Sequence, residues 1–138
     1  MKIYKCNICG NIVVMLDDKG VIPNCCGDSM TLLEAGVSDG KTEYHVPAVA
    51  IDRSKVTVSI GAEPHPMTDE HYIEWILLET NTGFHVTYLK DTDLNGISSL
   101  AEKAVACFKL SDNECAICAY AYCNRHGLWK KELDGRCA

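Results

Sequence analysis

Short runs of alternating or β-branched apolar residues recur along most of the chain after residue 45. In the clearest run, Val56, Val58 and Ile60 follow a two-residue period, which is typical of a strand with one buried face. The pattern predicts strands at 46–51, 55–60, 72–79, 83–89, 104–110 and 116–122. Turn residues separate several of them, and only 97–106 has a helical period. The chain is therefore expected to form a β-sandwich.

The first 35 residues carry a different signature, which is two pairs of cysteines separated by a polar turn. Cys6 and Cys9 form a CxxC motif, and Cys25 and Cys26 are adjacent. Thiolates three residues apart can bind one metal ion, whereas neighbouring side chains diverge and can do so only with local backbone distortion. A closed structural zinc site and a four-thiolate iron site both fit this pattern. The polar stretch 34–42 predicts a linker after this module.

Composition narrows the class of protein. A chain of 138 residues with 47% apolar content can bury one core of ordinary size and carry a small appended module. Its net charge of -6 and isoelectric point near 5.3 argue against a nucleic-acid partner, which needs clustered Lys and Arg. We find no signal peptide and no apolar run long enough to span a membrane, and we expect a cytoplasmic protein. Under those conditions nine cysteines favour metal-bound thiolates over disulfides.

A loop rich in proline carries the first candidates for a second metal site. His65 and His71 lie on this loop, which leads directly into an apolar run. The prolines on both sides of His65 restrict its backbone to an extended conformation. Thr68 is followed by two acidic residues, a pattern that predicts a helix N-cap orienting His71. Two imidazoles cannot complete a metal site, so further ligands are expected elsewhere.

The remaining candidates are His45 and the pair Cys123 and His126, whose CxxH spacing lets one turn supply two ligands. We assign His85, on a predicted strand, to a structural role. Four imidazoles with one thiolate suit zinc poorly, because zinc favours four ligands in a tetrahedron. The same set suits iron and leaves one coordination position open to a small ligand. The pattern thus predicts a catalytic iron site.

Taken in order, these motifs resemble the desulfoferrodoxin family of two-iron superoxide reductases. The resemblance rests on Tyr4-Lys5-Cys6-x-x-Cys9-Gly10, Cys25-Cys26-Gly27, Glu43-x-His45-Val46-Pro47, His65-Pro66-Met67-x-x-x-His71-Tyr72-Ile73-Glu74-Trp75 and Tyr122-Cys123-Asn124-x-His126-Gly127-Leu128-Trp129. It implies an all-β protein with a small desulforedoxin-like metal module in residues 1–36. An immunoglobulin-like β-sandwich, the superoxide reductase domain, would follow in residues 37–138.

The resemblance also implies the ligands of two iron centres, one with four thiolates and one with four histidines and a cysteine. In this chain the first set is Cys6, Cys9, Cys25 and Cys26, and the second is His45, His65, His71, Cys123 and His126. Zinc could replace iron in the four-thiolate site of a recombinant sample. Members of the family are typically homodimers that receive electrons from rubredoxin or a similar donor.

The implied reaction is the one-electron reduction of superoxide to hydrogen peroxide, without release of dioxygen. Glu43 matches the glutamate that occupies the sixth iron position in the oxidised resting state of the family. A lysine commonly follows that glutamate, whereas this chain has Tyr44, which carries no charge at neutral pH. We therefore expect slower, less salt-dependent capture of superoxide than in lysine-bearing relatives, unless Lys41, Lys130 or Lys131 compensates.

Two other functions are compatible with the sequence. A non-catalytic iron electron carrier or redox sensor would keep the second iron six-coordinate, with Glu43 permanently bound. A zinc-stapled β-sandwich that binds a protein partner would be colourless, because zinc has a filled d shell.

Four cysteines belong to neither predicted centre: Cys107, Cys115, Cys118 and Cys137. The CxxC spacing of Cys115 and Cys118 also allows a disulfide or a third metal site. Residues three apart on a strand point to opposite faces, and buried cysteine packs as a small hydrophobe. We therefore expect these residues to pack in the core.

Overall fold

The computed structural model describes residues 1–38, 40–92, 98–135 and 137. Its contacts divide the chain into two compact units, Met1–Glu34 and Ala35–Ala138. The assignment of separate functions to residues 1–36 and 37–138 stays a prediction. Within the described residues, no helix has the length and apolar character needed to cross a membrane.

The first unit is a small antiparallel β structure. Its strands are β1 (Lys2–Lys5), β2 (Ile12–Met15), β3 (Asn24–Cys25), β4 (Asp28–Ser29) and β5 (Thr31–Leu32). Strand β1 lies between β2 and β5, and β3 pairs with β4 in a separate hairpin. Tyr4, Cys6 and Met30 form its buried cluster. An apolar cluster this small cannot stabilise a module of this length without a cross-link or a metal.

The second unit is a β-sandwich with one short helix among its described residues. Its elements are α1 (Thr42–His45), β6 (Pro47–Asp52), β7 (Lys55–Ile60), β8 (Ile73–Thr80), β9 (Phe84–Tyr88), β10 (Lys90–Thr92), β11 (Ser98–Leu100), β12 (Val105–Lys109), β13 (Ala116–Cys123) and β14 (Gly127–Glu132). One sheet has the order β12-β7-β6 and the other β14-β13-β8-β9. Strands β10 and β11 form a two-stranded sheet.

The core of the second unit lies between the three-stranded and four-stranded sheets. Val56, Val58 and Ile60 of β7 contribute their alternating face to it, and each is at most 2% exposed. From the opposite sheet, Ile76 and Leu78 of β8 are fully buried. The alternation along β7 fits a strand buried on one face. In β8 the intervening Trp75 and Leu77 are buried as well, so its apolar run is nearly continuous.

All six strands predicted from the alternation are confirmed, each within one residue at either end. The all-β fold class is confirmed too. The helix predicted at 97–106 is wrong, because Ser98–Leu100 and Val105–Lys109 are strands; Ile97 lies outside the described residues. Strand β14 and helix α1 were not predicted.

The boundary between the two units, between Glu34 and Ala35, falls at the start of the predicted linker 34–42, and the residues from Ala35 on belong to the second unit. The N–H of Gly36 donates to the carbonyl oxygen of Leu128 at 2.9 Å. Asp39 lies outside the described residues. The segment is polar because it runs along the surface, but it is hydrogen-bonded to the sandwich.

Candidate metal centres

The four cysteines of the first unit converge. The sulfurs of Cys6, Cys9, Cys25 and Cys26 all lie within 4.8 Å of one another. The sulfur of Cys25 is 3.6 Å from that of Cys9 and 3.9 Å from that of Cys26. Two hairpin-like turns supply one cysteine pair each, as the paired spacing in the sequence predicts.

The adjacent cysteines share one site because the backbone is distorted between them. Cys26 has a φ of 55°, in the left-handed region, and Gly27 follows with a φ of 83°. In an extended strand neighbouring side chains point to opposite faces, and the change in φ brings both sulfurs to the same side. This backbone conformation costs a non-glycine residue free energy. Its presence at Cys26 fits a metal site, because both sulfurs must then reach the same ion.

The thiols of Cys6 and Cys26 differ in acidity. The pKa of Cys6 is lowered to about 6, first because the backbone N–H of Cys9 and then that of Ile8 donate to its sulfur. The pKa of Cys26 is raised to about 12, mainly by its contact with Cys9 and then with Cys25. A bound cation would allow all four thiols to ionise, because it offsets their mutual repulsion. Four thiolates suit iron or zinc, and the donor set alone does not choose between them.

The second centre is assembled from three segments of the sandwich: helix α1, the loop between β7 and β8, and the hairpin of β13 and β14. His45 ends helix α1, His65 lies on the loop after β7, and His71 precedes β8. Cys123 is the last residue of β13, and His126 lies in the turn before β14.

Hydrogen bonds fix these segments to one another. The N–H of His65 donates to the carbonyl oxygen of Ile60 at 3.3 Å. Asn124 connects the Cys123 turn to the loop of His71: its side-chain carbonyl accepts from the N–H of Tyr72 at 2.9 Å, and its amide donates to the carbonyl of Glu70 at 2.9 Å. The ligand-bearing loops are therefore held by backbone and amide contacts.

The predicted helix N-cap at Thr68 is wrong. Its backbone N–H donates to the carbonyl oxygen of His71 at 2.9 Å, and its side-chain oxygen accepts from the N–H of His71 at 3.1 Å. These bonds close a tight turn, and strand β8 follows two residues later. The hydroxyl of Thr68 still orients His71, as expected, but through a turn.

Four imidazoles and one thiol meet at short distances. Nε2 of His45 lies 3.0 Å from Nδ1 of His126 and 3.3 Å from Nε2 of His65. The sulfur of Cys123 is 3.8 Å from Nδ1 of His126. The rings of His65 and His71 have centroids 4.6 Å apart. One potential ligand atom from each of His45, His71, Cys123 and His126 lies within 4.8 Å of all the others.

In two of the imidazoles, the hydrogen bond made by Nδ1 determines whether Nε2 carries a proton or a lone pair. Nδ1 of His45 is 2.6 Å from the carbonyl oxygen of Lys41, and Nδ1 of His65 is 2.7 Å from that of Pro66. A carbonyl can only accept, so each Nδ1 carries the proton and each Nε2 presents a lone pair. Two lone pairs 3.3 Å apart repel each other. Nε2 of His71 is buried without a hydrogen-bond partner among the described residues. A metal cation satisfies all three nitrogens.

Burial keeps the imidazoles of His45, His65 and His71 neutral. It lowers the pKa of His65 to about 4, with smaller contributions from the neighbouring imidazoles. It also lowers the pKa of His45 and of His71. Burial raises the pKa of the Cys123 thiol, so this side chain needs a nearby cation to ionise. Neutral imidazoles and a thiol that ionises beside a cation are the donors that iron prefers in such a set.

Two residues that the sequence analysis did not single out pack directly on the ligands. The ring of Trp129 stacks on His45, with centroids 4.9 Å apart, and its indole N–H donates to the carbonyl oxygen of His126 at 3.0 Å. A β-carbon added to Gly40 would lie 2.8 Å from Cβ of His126 and 3.1 Å from Cε1 of His45. Trp129 could have been found from the sequence, because it lies three residues after the candidate ligand His126. Gly40 lies in a polar stretch, where nothing in the sequence marks it.

A cavity of about 390 Å³ opens onto the imidazoles. It is lined by Gly40, Lys41, Tyr44, His45, Pro66, His71 and His126. Lys41 is the one lysine among these lining residues, and its Nζ lies 6.0 Å from the centroid of the Tyr44 ring. The cavity thus presents a cation and a phenol beside the histidines.

The other charged candidates lie elsewhere. Glu43 is exposed and lines a second cavity together with Lys131. Lys130 pairs with Glu132 at 2.8 Å. The structure therefore brings Lys41 and Tyr44 to the histidine cavity and leaves the side chains of Glu43, Lys130 and Lys131 outside its lining.

The cysteines outside the two centres divide into three kinds. Cys115 and Cys137 form a disulfide, so the expected core packing is wrong for them. It is also wrong for Cys107, which is exposed on β12. It is confirmed for Cys118, which is 3% exposed. The structural role of His85 is confirmed as well, because its Nε2 lies 2.7 Å from the Glu114 carboxylate.

Comparisons with known proteins agree with this arrangement of two sites. The family model described as "Desulfoferrodoxin" matches residues 37–132, and "Desulfoferrodoxin, N-terminal domain" matches residues 1–33. A desulfoferrodoxin of Nitratidesulfovibrio vulgaris is 39% identical over 95% of both chains. A desulfoferrodoxin homolog of Archaeoglobus fulgidus is 40% identical over 94% of this chain and 95% of its own. The crystal structure of the superoxide reductase from Treponema pallidum superimposes with a TM-score of 0.73 at 27% identity, covering 95% of this chain and 98% of that one.

Proposed function

Because the chain belongs to the desulfoferrodoxin family, we propose that it is a superoxide reductase, an oxidoreductase that reduces superoxide to hydrogen peroxide with one electron and two protons. The observation that carries this function is the meeting of four imidazoles and one thiol beside an open cavity, which His45, His71 and His126 line. The residues present fit iron at both centres, and zinc is an alternative for the four-thiolate site.

Iron bound at the histidine centre supplies the transferable electron and a coordination position open to superoxide. The residues of the chain determine how an anion reaches it. Four neutral imidazoles add no charge, and the Cys123 thiolate adds one negative charge. A divalent cation in this set keeps a net positive charge, which attracts an anion although the chain carries a net charge of -6.

Lys41 supplies a second attraction. Lys41 lines the cavity, its ammonium lies 6.0 Å from the centroid of the Tyr44 ring, and its carbonyl oxygen accepts the Nδ1 proton of His45. One residue thus fixes the tautomer of a ligand and places a positive charge beside the path of superoxide. Tyr44 lines the same cavity and is uncharged at neutral pH, so we assign the electrostatic role to Lys41. Protons for the product come from solvent, since the cavity is open.

For Glu43 we propose that the carboxylate approaches the centre only in the oxidised resting state. Its side chain lines a different cavity here, and the four-residue helix that carries it would have to shift. This placement supports catalysis over a closed electron carrier or sensor, in which Glu43 would remain bound.

We also propose a cytoplasmic homodimer that receives electrons from a rubredoxin-like donor. Each turnover consumes one electron, so a donor is required. Several large apolar side chains of the first unit are exposed, including Leu16 at 82% and Val21 at 74%, and a subunit contact would bury them. Sedimentation of the full chain at several concentrations measures the assembly.

A visible absorption spectrum with elemental analysis tests the two iron centres. We expect thiolate-to-iron charge-transfer bands from the four-thiolate site, and a further band at longer wavelength that appears when the histidine centre is oxidised. A protein that contains only zinc, and stays colourless after anaerobic loading with ferrous iron and reoxidation, would contradict the proposed function.

A further inference from the structure

Strands β13 and β14 form the hairpin that carries two ligands of the histidine centre. Cys123 and His126 lie at its turn, where Cys123 pairs with Gly127. At the open end, Cys115 and Cys137 are joined by the disulfide and form an isolated antiparallel bridge. The disulfide spans 22 residues and so encloses the whole hairpin. We call it the hairpin disulfide.

The two sulfurs of the hairpin disulfide have different surroundings. The backbone of Cys115 is fixed by Asn81, which accepts its N–H at 2.8 Å and donates its own N–H to the Cys115 carbonyl at 3.0 Å. Cys137 is exposed and lies beyond the end of β14. The Cys115 sulfur is therefore held on the sandwich. The Cys137 sulfur lies on an accessible segment that the disulfide attaches to the sandwich.

The segment after β14 also contributes to the core. The N–H of Leu133 donates to the carbonyl oxygen of Ile117 at 2.8 Å, and its side chain packs against the apolar core together with Val49 and Ile51. Opening the hairpin disulfide would leave this contact and the last β13–β14 pair, Cys118 with Glu132, to hold the end of β14. That strand begins beside His126 and includes Trp129, which stacks on His45.

A disulfide with an exposed sulfur is open to thiol exchange, whereas structural disulfides are usually protected. In a cytoplasm that reduces thiols, such bonds are typically transient and respond to an oxidant. The reaction proposed above makes an oxidant of thiols, hydrogen peroxide. We propose that the hairpin disulfide is a reversible redox bond, closed by hydrogen peroxide and opened by a protein dithiol, that tightens the hairpin holding Cys123 and His126. The source of the peroxide rests on the proposed function; the bond itself does not.

The chemistry balances without a further reactant. The exposed Cys137 thiolate attacks one peroxide oxygen, an S–O bond forms, the O–O bond breaks, and hydroxide leaves as water. The Cys115 thiolate then attacks the Cys137 sulfur, the S–S bond forms, the S–O bond breaks, and the second hydroxide leaves as water; the two protons that the thiols lost on ionising convert the two hydroxides to water. The two thiols lose two electrons and the peroxide gains them. Exchange with a dithiol reverses the bond, because the dithiol is oxidised in its place.

Closing the bond should slow the release of metal from the histidine centre. It removes conformations in which the hairpin opens from its free end, and opening is what separates Cys123 and His126 from the other ligands. Replacing a residue that positions a metal ligand without binding the metal itself typically changes metal affinity by about 10- to 100-fold. We expect the closed form to release ferrous iron about tenfold more slowly, at the lower end of that range.

The experiment uses the full metal-loaded chain, reduced with dithiothreitol and desalted without air. One half receives a small excess of hydrogen peroxide, both halves are brought to the ferrous state with ascorbate, and iron release to a coloured chelator is followed. Alkylation and peptide mass spectrometry identify the linked cysteines. We expect a Cys115–Cys137 linked peptide only after peroxide, its loss after dithiothreitol, and slower release while it is present.

Two variants locate the effect. Cys137→Ser should release iron at the rate of the reduced form with or without peroxide, whereas Cys107→Ser, which removes another exposed thiol, should respond like the unaltered chain. Peroxide that leaves Cys115 and Cys137 as thiols or sulfinic acids, or equal release rates with the linked peptide formed, would overturn the proposal. The comparison of the two redox forms of the unaltered chain does not depend on the folding of a variant. Because peroxide is added directly, failure to reduce superoxide would be a separate result.

Discussion

Trp129 stacks on His45 with an interplanar angle of 26° and donates its indole N–H to the carbonyl oxygen of His126 at 3.0 Å. A single side chain thus supports two ligands that are 81 residues apart in sequence. Trp129 is 4% exposed, so it also excludes water from this side of the centre. The support of the metal ligands is therefore built into the first residues of β14.

We expect Trp129→Phe to weaken metal binding at the histidine centre. Phenylalanine keeps an aromatic face for His45 but loses the hydrogen bond to His126. Loss of an outer hydrogen bond typically lowers metal affinity by about 10- to 100-fold, and we expect a value near the lower figure. Competition with a chelator measures it.

Trp75→Phe is the matched control. Trp75 is 9% exposed and stacks on Tyr122, with ring centroids 5.5 Å apart, so its replacement removes a similar volume. It should lower the free energy of unfolding by about 1 to 3 kcal/mol, as core substitutions usually do, with little change in metal affinity. Equal losses of affinity in both variants would mean that the effect of Trp129 is a general one on packing.

Gly40→Ala tests the close approach of the backbone to the ligands. Its new β-carbon would meet His126 at 2.8 Å, which is too short, so the imidazoles or the backbone must shift. We expect overpacking to cost about 1 to 3 kcal/mol of stability. Metal affinity should fall as well. Gly83→Ala, at a glycine with no atom within 4 Å of the added carbon, should change neither, and a similar loss in that variant would refute this reading.

The sequence predicted the sandwich strands because alternation and turn residues are local signals. It also named the five residues that meet at the histidine centre, since two prolines, a CxxH motif and a family resemblance marked them; their role as metal ligands stays a prediction. Gly40 could not be recognised, because its importance lies in its distance from His126, which is distant along the chain. The disulfide of Cys115 and Cys137 was missed for a similar reason: Cys115 forms a CxxC with Cys118, but its partner lies on a segment beyond β14.

Removal of the positive charge at Lys41 should slow the capture of superoxide. We expect Lys41→Gln to lower the second-order rate constant by up to about tenfold and to flatten its dependence on ionic strength, since steering by charge is screened by salt. Tyr44→Lys should have the opposite effect on both quantities. Pulse radiolysis over a range of salt concentrations measures the rate constants.

Lys55→Gln is the control for the loss of charge itself. Lys55 begins β7, five residues from Ile60 at the end near His65, a distance of about 17 Å along a strand. At physiological salt this charge should be screened from the cavity and the rate unchanged.

A Tyr44→Lys variant with the rate constant and salt dependence of the unaltered chain would contradict the electrostatic account.

Glu114 should make stability depend on pH in the acid range. Its pKa is lowered to about 2, first because the N–H of Ser111 donates to it and then because of His85. The folded-state pKa lies below the usual value of 4.5, so its contribution is complete above about pH 5 and disappears as the pH falls towards about 2.

Denaturant unfolding of the unaltered chain and of Glu114→Gln, at a series of pH values, tests this contribution. The difference in free energy of unfolding between them should shrink steadily below about pH 5. Glu132→Gln, at an exposed ion pair with Lys130, should give only a small difference at any pH. A constant difference between the unaltered chain and Glu114→Gln would show that the carboxylate acts by packing and not by charge.

The most direct test of superoxide reduction is the ratio of products, measured with the iron-loaded chain, a continuous electron donor and a defined dose of superoxide. A reductase makes one hydrogen peroxide for each superoxide and no dioxygen, whereas a dismutase makes one of each from two superoxides. We predict the first ratio for the unaltered chain and its loss in His71→Ala, which removes the ligand whose Nε2 is buried without a partner in the part of the chain that the structure describes. Release of dioxygen in the dismutase ratio, or no consumption of superoxide by a chain shown to hold iron at the histidine centre, would contradict the proposed function.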